Sequence, residues 1–272
     1  MNEISYSYVA LLDVLAYREY LARDTNSGRL EFRDAMSRAL SVFNNVNEND
    51  FPHTAISDTI IVTCSKQDQI IGFLRLLKRV QISFLRQGLF LRGATVYARH
   101  FQSGSLTYSP ALTGAYKLEQ DSAIYPRIMI DQNILEMFNS LKQQDKLITS
   151  GLVAEWNGVF FLNALGSQTW KVIYDAAKKL FRRDSRDLIG KESAFAKHVW
   201  FENFIFSSQY VKRGATRYIP KPKMYGKITK AIGKKQAPNK FIYYRSKNIF
   251  ASLDIEKTGA KGGVGFKIVD ED

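Results

Sequence analysis

Two aspartates stand where a carboxylate is hard to keep. Asp13 interrupts the apolar run Tyr8-Val-Ala-Leu-Leu-Asp-Val-Leu, and Asp58 directly precedes the β-branched run Thr59-Ile-Ile-Val. A lone ionised carboxylate in such a setting is costly unless a cation or several hydrogen bonds meet it. Each has a purely structural reading, Asp13 as the cap of a following helix and Asp58 as a turn residue bonding its own backbone. Together they allow a different chemistry. One acid closes a buried strand and the other sits at a bend beside the next strands, so antiparallel neighbours would bring both to one sheet edge. Two carboxylates and a polyphosphate supply the oxygen ligands that Mg²⁺ prefers. Two such ions, about 3.5–4 Å apart, can activate a hydroxyl and stabilise the leaving oxygen of an in-line displacement. The residues after Asp13, from Val14 through Leu15 and Ala16 to Tyr17, read as a strand-to-helix turn whose N–H groups could hold phosphates.

Composition narrows the alternatives. A single cysteine, Cys64, excludes an internal disulfide framework and suits a reducing, cytoplasmic setting. The three histidines, His53, His100 and His198, share no zinc-like spacing, so metal chemistry here would run on carboxylates and a hard cation. No apolar run is long enough to cross a bilayer, and the first residues carry no signal-peptide pattern. The net charge of +13 is concentrated: residues 212–247 hold twelve Lys or Arg and no Asp or Glu, which leaves the rest of the chain near +1. Such a basic stretch is either a solvated segment or a site for polyanions, and it could also contact a partner protomer.

The elements that must position the acids follow from the pattern. Residues 4–15 read as a buried strand and 17–43 as a helix loosened near Asn26-Ser27-Gly28. Residues 54–64 read as strand–turn–strand, or one bent strand, with Ser57-Asp58 at the bend. A helix at 69–86 ends on Gly88, and a strand at 89–97 leads to a Gly/Ser loop at 102–105. Pro110 opens a helix at 111–121, and 127–130 is another short strand. A hairpin at 151–165 turns on Asn157-Gly158, and helices are expected at 168–181 and 192–209. The order predicts an α+β fold, a mainly antiparallel palm or ferredoxin-like sheet with helices on one face. The expected division is a core at 1–150, a hairpin and helices packed on it at 151–210, and an extended, partly mobile basic tail at 211–272.

Several of these segments resemble one family. Val9-Ala-Leu-Leu-Asp-Val-Leu-Ala-Tyr is similar to the first strand and phosphate loop of class III nucleotide cyclases. Ile56-Ser-Asp-Thr-Ile-Ile-Val resembles the segment of their second metal-binding aspartate, with Ser57 where glycine is usual. Leu91-Arg-Gly-Ala-Thr-Val resembles the next core strand, and Ser109-Pro-Ala-Leu-Thr-Gly-Ala-Tyr-Lys-Leu-Glu the helix that follows. Ile124-Tyr-Pro-Arg-Ile-Met-Ile, Glu155-Trp-Asn-Gly-Val-Phe-Phe-Leu-Asn and His198-Val-Trp-Phe-Glu-Asn are similar to a bacterial branch, the pyrimidine cyclases of Pycsar antiphage defence, which make cyclic CMP or cyclic UMP. The resemblance spans about residues 8 to 205.

The resemblance implies that Asp13 and Asp58 hold two Mg²⁺ or Mn²⁺ ions and that the 3′-hydroxyl of a nucleoside triphosphate attacks its own α-phosphorus. It also implies a head-to-tail homodimer with sites at the interface. Thr113 and Lys117 fall where purine cyclases commonly place an asparagine and an arginine, so the bidentate fork is absent. The adenine-reading lysine and its acidic partner fall near Thr54 and Leu106, which argues against ATP, and Phe51, His53 and Thr54 could line a different base pocket. Arg92 could meet a phosphate or a metal-site carboxylate, or form a structural ion pair. Gly93 reads as a close-packing or dimer-contact position, and His198 and Trp200 as packing residues. The rival reading is a cyclase-like domain without catalysis, which binds a nucleotide, or binds nucleic acid through the basic tail.

Overall fold

The computed structural model describes residues 5–103, 106–140, 144–222, 240–245, 249–254 and 267–268. They fall into two compact units, Met1–Ile219 and Pro220–Asp272. At the centre of the first is β1 (Ser5–Val14), in which every residue from Ser7 to Leu12 is buried. A strand covered on both faces needs apolar side chains at consecutive positions, which is why this segment reads as a continuous apolar run. Antiparallel β3 (Thr59–Cys64) and β4 (Leu91–Ser103) flank it. The sheet continues outward to β2 (His53–Ile56) on one side and to β6 (Ile128–Ile130), β8 (Val159–Leu162) and β7 (Val153–Trp156) on the other. The short β5 (Leu106–Tyr108) pairs with the far end of β4. Only the β4–β6 pairing is parallel among the described strands.

The alternation of β1 sorts the helices. Tyr8, Ala10, Leu12 and Val14 join the main core with α1 (Tyr17–Ser27), α2 (Glu31–Leu40) and α3 (Ile70–Arg86). Val9 and Leu11 face the other way and pack with Val96 against Ala111 and Ala115 of α4 (Pro110–Ser122). The expectation that helices cover one face is therefore corrected: α4 covers the second face, and Asp13, two residues on from Leu11, belongs to it. Further along, α7 (Trp170–Asp184) and α8 (Glu192–Ser207) build a third cluster with Phe90, Ala94, Met129 and Phe161.

Other differences have local causes. β4 runs on to Ser103 because β5 pairs with its end, so Gln102 and Ser103 of the expected Gly/Ser loop are strand, and the rest of that loop lies outside the described residues. Two helices that the sequence pattern left unread, α5 (Gln132–Ser140) and α6 (Gln144–Thr149), fill the stretch before the β7–β8 hairpin. That hairpin turns on Asn157 and Gly158 at φ 55° and 72°, the left-handed pair such a turn requires. In the second unit β9 (Lys240–Arg245), β10 (Ile249–Asp254) and β11 (Lys267–Ile268) form an antiparallel sheet where an extended tail was expected. The mobility expected of that tail falls on residues outside the described ones. No helix among the described residues is long and apolar enough to cross a membrane.

Candidate active site

Strand register brings the acids together. Asp13, near the end of β1, is opposite Thr59 of β3 on one side and Arg92 of β4 on the other. Asp58 is the second residue of the two-residue β2–β3 turn, in which Ser57 takes a φ of 61°, the position where a glycine would be unstrained. The Asp58 carbonyl accepts the Val14 N–H at 3.1 Å, which pins this turn to the end of β1. The two carboxyl groups stand close enough that the charge of Asp58 raises the pKa of Asp13.

Arg92 is the countercharge. Its Nε donates to Asp13 Oδ2 at 2.9 Å and lies 2.7 Å from Oε1 of Glu119, which reaches over from α4. Nε carries a single hydrogen, and it points at Asp13, so Glu119 Oε1 has an ion pair but no hydrogen bond. The other Glu119 oxygen accepts from Gln120 Nε2 at 2.6 Å. Burial pushes the Asp13 carboxyl upward, Arg92 opposes that through its hydrogen bond and charge, and Asp58 adds to the rise. Burial likewise raises Glu119, whose side chain is 2% exposed, against the pull of Arg92 and Gln120.

Asp13 and Glu119 share one guanidinium and Asp58 acts on Asp13 from beside it, which leaves an excess of negative charge, and Arg92 occupies only one oxygen of Asp13. Hard-oxygen donors with surplus negative charge fit a divalent cation such as Mg²⁺ or Mn²⁺. No group of three or more His, Cys, Asp or Glu side chains shaped to hold a metal occurs among the described residues. Asp13 and Asp58 would thus supply part of a coordination shell, and a ligand and water the rest.

The turn after β1 is only partly free. Val14 N–H is spent on Asp58, and Leu15 N–H donates to the Phe90 carbonyl at 3.0 Å, so neither backbone donor is open to a phosphate as the sequence suggested. Ala16 is left-handed at φ 64° and precedes α1 without a side-chain cap. The first helical bond of α1 is Tyr20 N–H to Ala16 carbonyl at 3.1 Å, which leaves the N–H groups from Ala16 to Glu19 without a protein partner among the described residues.

The remaining candidates divide. Tyr17 packs edge-on to Phe32 at 5.3 Å and lines a cleft of about 840 Å³ between α1, α2 and the β2–β3 turn. Thr54 is exposed on β2, and its pairing with Ile61 places it on the Asp13 face. Phe51 and His53 turn to the opposite side, stacked on Phe73 and Phe43, with His53 Nδ1 3.0 Å from the Phe51 carbonyl oxygen. They are packing residues in this chain and do not meet the acids. Thr113 and Lys117 lie exposed on the outer side of α4, away from Ala111, Ala115 and Glu119, so they do not converge on Asp13 within one protomer. Leu106 is exposed on β5, and His100, on the far part of β4, bonds Ser109 Oγ at 2.7 Å. Trp200 is packed among Tyr125, Phe161 and Phe204, and His198 among Phe90 and Phe181.

Two features were missed in the sequence. Glu119 closes the Leu-Glu end of the α4 segment, and its spacing from Ala111 and Ala115 marks it as a buried-face residue. Arg183 of α7 donates to Tyr20 Oη at 2.6 Å and to the Gly88 carbonyl at 3.0 Å, tying α1 to α7 across a long sequence separation that no local pattern reveals.

No protein-family model matches the chain, and no curated protein does. Among solved structures, a bacterial light-regulated adenylyl cyclase is 12% identical with a TM-score of 0.39, over 66% of this chain and 98% of that one. The monomeric guanylyl cyclase domain of the RhoGC fusion protein from the aquatic fungus Blastocladiella emersonii is 10% identical, with a TM-score of 0.39 over 58% of this chain and 95% of that one. The adenylyl cyclase CyaB from P. aeruginosa is 11% identical, with a TM-score of 0.35 over 61% of this chain and 100% of that one. Another structure of a bacterial light-regulated adenylyl cyclase, 13% identical with a TM-score of 0.36 over 50% of this chain, is matched over 46% of its own length, so this chain spans less than half of it.

Proposed function

We propose that this chain is a nucleotide cyclase that converts CTP or UTP to the 3′,5′-cyclic monophosphate and pyrophosphate. The observation that carries the reading is the pairing of Asp13 and Asp58 at one sheet edge, beside a helix start whose N–H groups are open. Asp13 and Asp58 would hold divalent ions, whose chemistry when bound is to activate a hydroxyl and neutralise phosphate charge. The 3′-oxygen forms a bond to the α-phosphorus, its proton leaves to water, and the bond from that phosphorus to the bridging oxygen breaks. Arg92, held by Asp13 and Glu119, keeps the Asp13 carboxylate in place. The protein's share is mostly alignment and electrostatics.

Thr113 and Lys117 support a head-to-tail homodimer, because exposed positions on α4 serve a site only if that site belongs to a partner. The adenine-reading residues of the cyclases that the sequence resembles fall near Thr54 and Leu106, and neither group can make those contacts, which supports a pyrimidine base. A signalling role in antiphage defence follows from the same resemblance, and the single cysteine suits a cytoplasmic setting for it.

Assay of the four nucleoside triphosphates with Mn²⁺, with products separated by mass, tests the proposal. Cyclic CMP or cyclic UMP is expected from the wild type. Asp13→Ala and Asp58→Ala should each lower turnover by about 10³-fold or more, as loss of a group acting on the transition state does, with melting temperatures unchanged or raised. Full turnover in both variants would remove the carboxylate assignment. Binding of a triphosphate without pyrophosphate release in the wild type would favour the non-catalytic reading.

A further inference from the structure

A second cleft, of about 200 Å³, opens on the α8 side of the same turn and is lined by Leu15, Ala16, Glu19, Phe90, Lys191 and Lys197. Lys197 is half-buried there, one residue before His198, whose ring is boxed between Phe90 at 4.9 Å and Phe181 at 5.6 Å. That anchorage fixes where the lysine stem leaves α8. The other charges of the cleft are mostly committed: Asp184 pairs with Arg183 and Arg23, and Asp187 with Arg23. Among the described residues no carboxylate stands within ion-pair distance of Lys197. Glu19 and Asp13 act on its charge from further away, Arg92 opposes them, and burial disfavours the ammonium most of all. Glu19 is exposed, so water screens it. A half-buried ammonium without a direct partner gains when an anion enters beside it.

We propose that Lys197, with the Ala16 end of the β1–α1 turn, forms the subsite for the terminal phosphoryl groups of the triphosphate. This rests on the cyclase reading above and adds a residue from the C-terminal helices to it. When the bond from the α-phosphorus to the bridging oxygen breaks, the electron pair stays with the departing pyrophosphate, and the Lys197 ammonium meets that charge. A ligand without terminal phosphoryl groups, such as CMP or UMP, has nothing to offer Lys197.

Titration calorimetry on the full chain with Mn²⁺ distinguishes the possibilities, using inorganic pyrophosphate, CTP, UTP and the two monophosphates. One charge-assisted hydrogen bond corresponds to about tenfold in affinity, and that is the loss expected for pyrophosphate and the bound triphosphate in Lys197→Met. Monophosphate binding should stay within about twofold, and Lys197→Arg should recover most of the loss, since it restores the charge. A pyrophosphate loss under about threefold, well short of one such bond, overturns the inference. So does an equal loss for mono- and triphosphate, which would mark a structural role. If the wild type binds CTP or UTP in a manner that Asp13→Ala abolishes and Lys197→Met leaves untouched, this inference alone fails. If the wild type binds neither triphosphate, the cyclase reading fails and takes the inference with it.

Discussion

At the scale of single residues, two positions have consequences that follow from geometry alone. A Cβ placed on Gly93 would overlap the Leu11 carbonyl oxygen and lie 2.8 Å from a Leu12 methyl, inside the β1–β4 ladder next to Arg92. Gly93→Ala is expected to cost about 1–3 kcal/mol, the usual range for overpacking, read as a lower denaturant midpoint at unchanged slope; an unchanged midpoint would count against the tight contact. His198 is 5% exposed, its Nδ1 has no partner, and burial lowers its pKa from 6.5 to about 4. Because the unfolded chain binds that proton more readily, stability is complete above pH 6.5 and is lost as the pH falls toward 4. The loss amounts to about 3 kcal/mol. His198→Phe should flatten that part of the stability–pH curve, and an equally steep curve in the variant would assign the effect elsewhere. Asp13 and Asp58 were legible in the sequence because a charge in an apolar run is conspicuous. Lys197 was not, since a lysine on a helix is commonplace until a fold brings it near a phosphate-sized cleft.

At the scale of elements, the site depends on a register and a crossover. Asp13 meets Arg92 because they are directly opposed on β1 and β4, and a slip of one residue would turn one of them to the other face. In the first unit most strands and helices were legible because apolar periodicity is a local signal, whereas β5 and the far end of β4 that pairs with it were not. The side of the sheet taken by α4 was not legible either, because its buried face is small and only weakly apolar, two alanines (Ala111 and Ala115) with the carboxylate of Glu119. Phe51 and His53 were misjudged for a related reason. Their neighbours in sequence suggested a ligand pocket, whereas the pleat of β2 sends His53 inward to Phe43. α1, which begins at the turn that follows β1, is steadied from behind by the Arg183–Tyr20–Asp184 contacts.

At the scale of the whole molecule, the proposed homodimer predicts complementation. An Asp13→Ala protomer lacks one half of its own site and a Lys117→Ala protomer lacks the half it lends. Mixing the two inactive variants in equal amounts should therefore restore about one quarter of wild-type turnover, the share expected for random closed dimers; no recovery would show that Lys117 serves its own protomer. The division of charge between body and tail was legible from composition, but the three strands of the second unit were not: the glycine, proline and lysine content after Tyr210 suggested an extended chain, although the strands themselves hold neither glycine nor proline. The first unit also has a defined last stitch. Buried Glu202 of α8 accepts the backbone N–H groups of Tyr218 at 2.5 Å and Ile219 at 2.8 Å, and Arg217 Nη1 lies 3.1 Å from its other oxygen. Because that clasp closes at Ile219, a chain terminated there keeps every bond Glu202 makes. The boundary is thus a place to cut: residues 1–219 should melt cooperatively near the temperature of the full protein, and a failure to do so by calorimetry would show that the stitch alone does not hold the end. Such a truncation turns the role of the tail into a subtraction, in which whatever polyanion affinity disappears with residues 220–272 belonged to them.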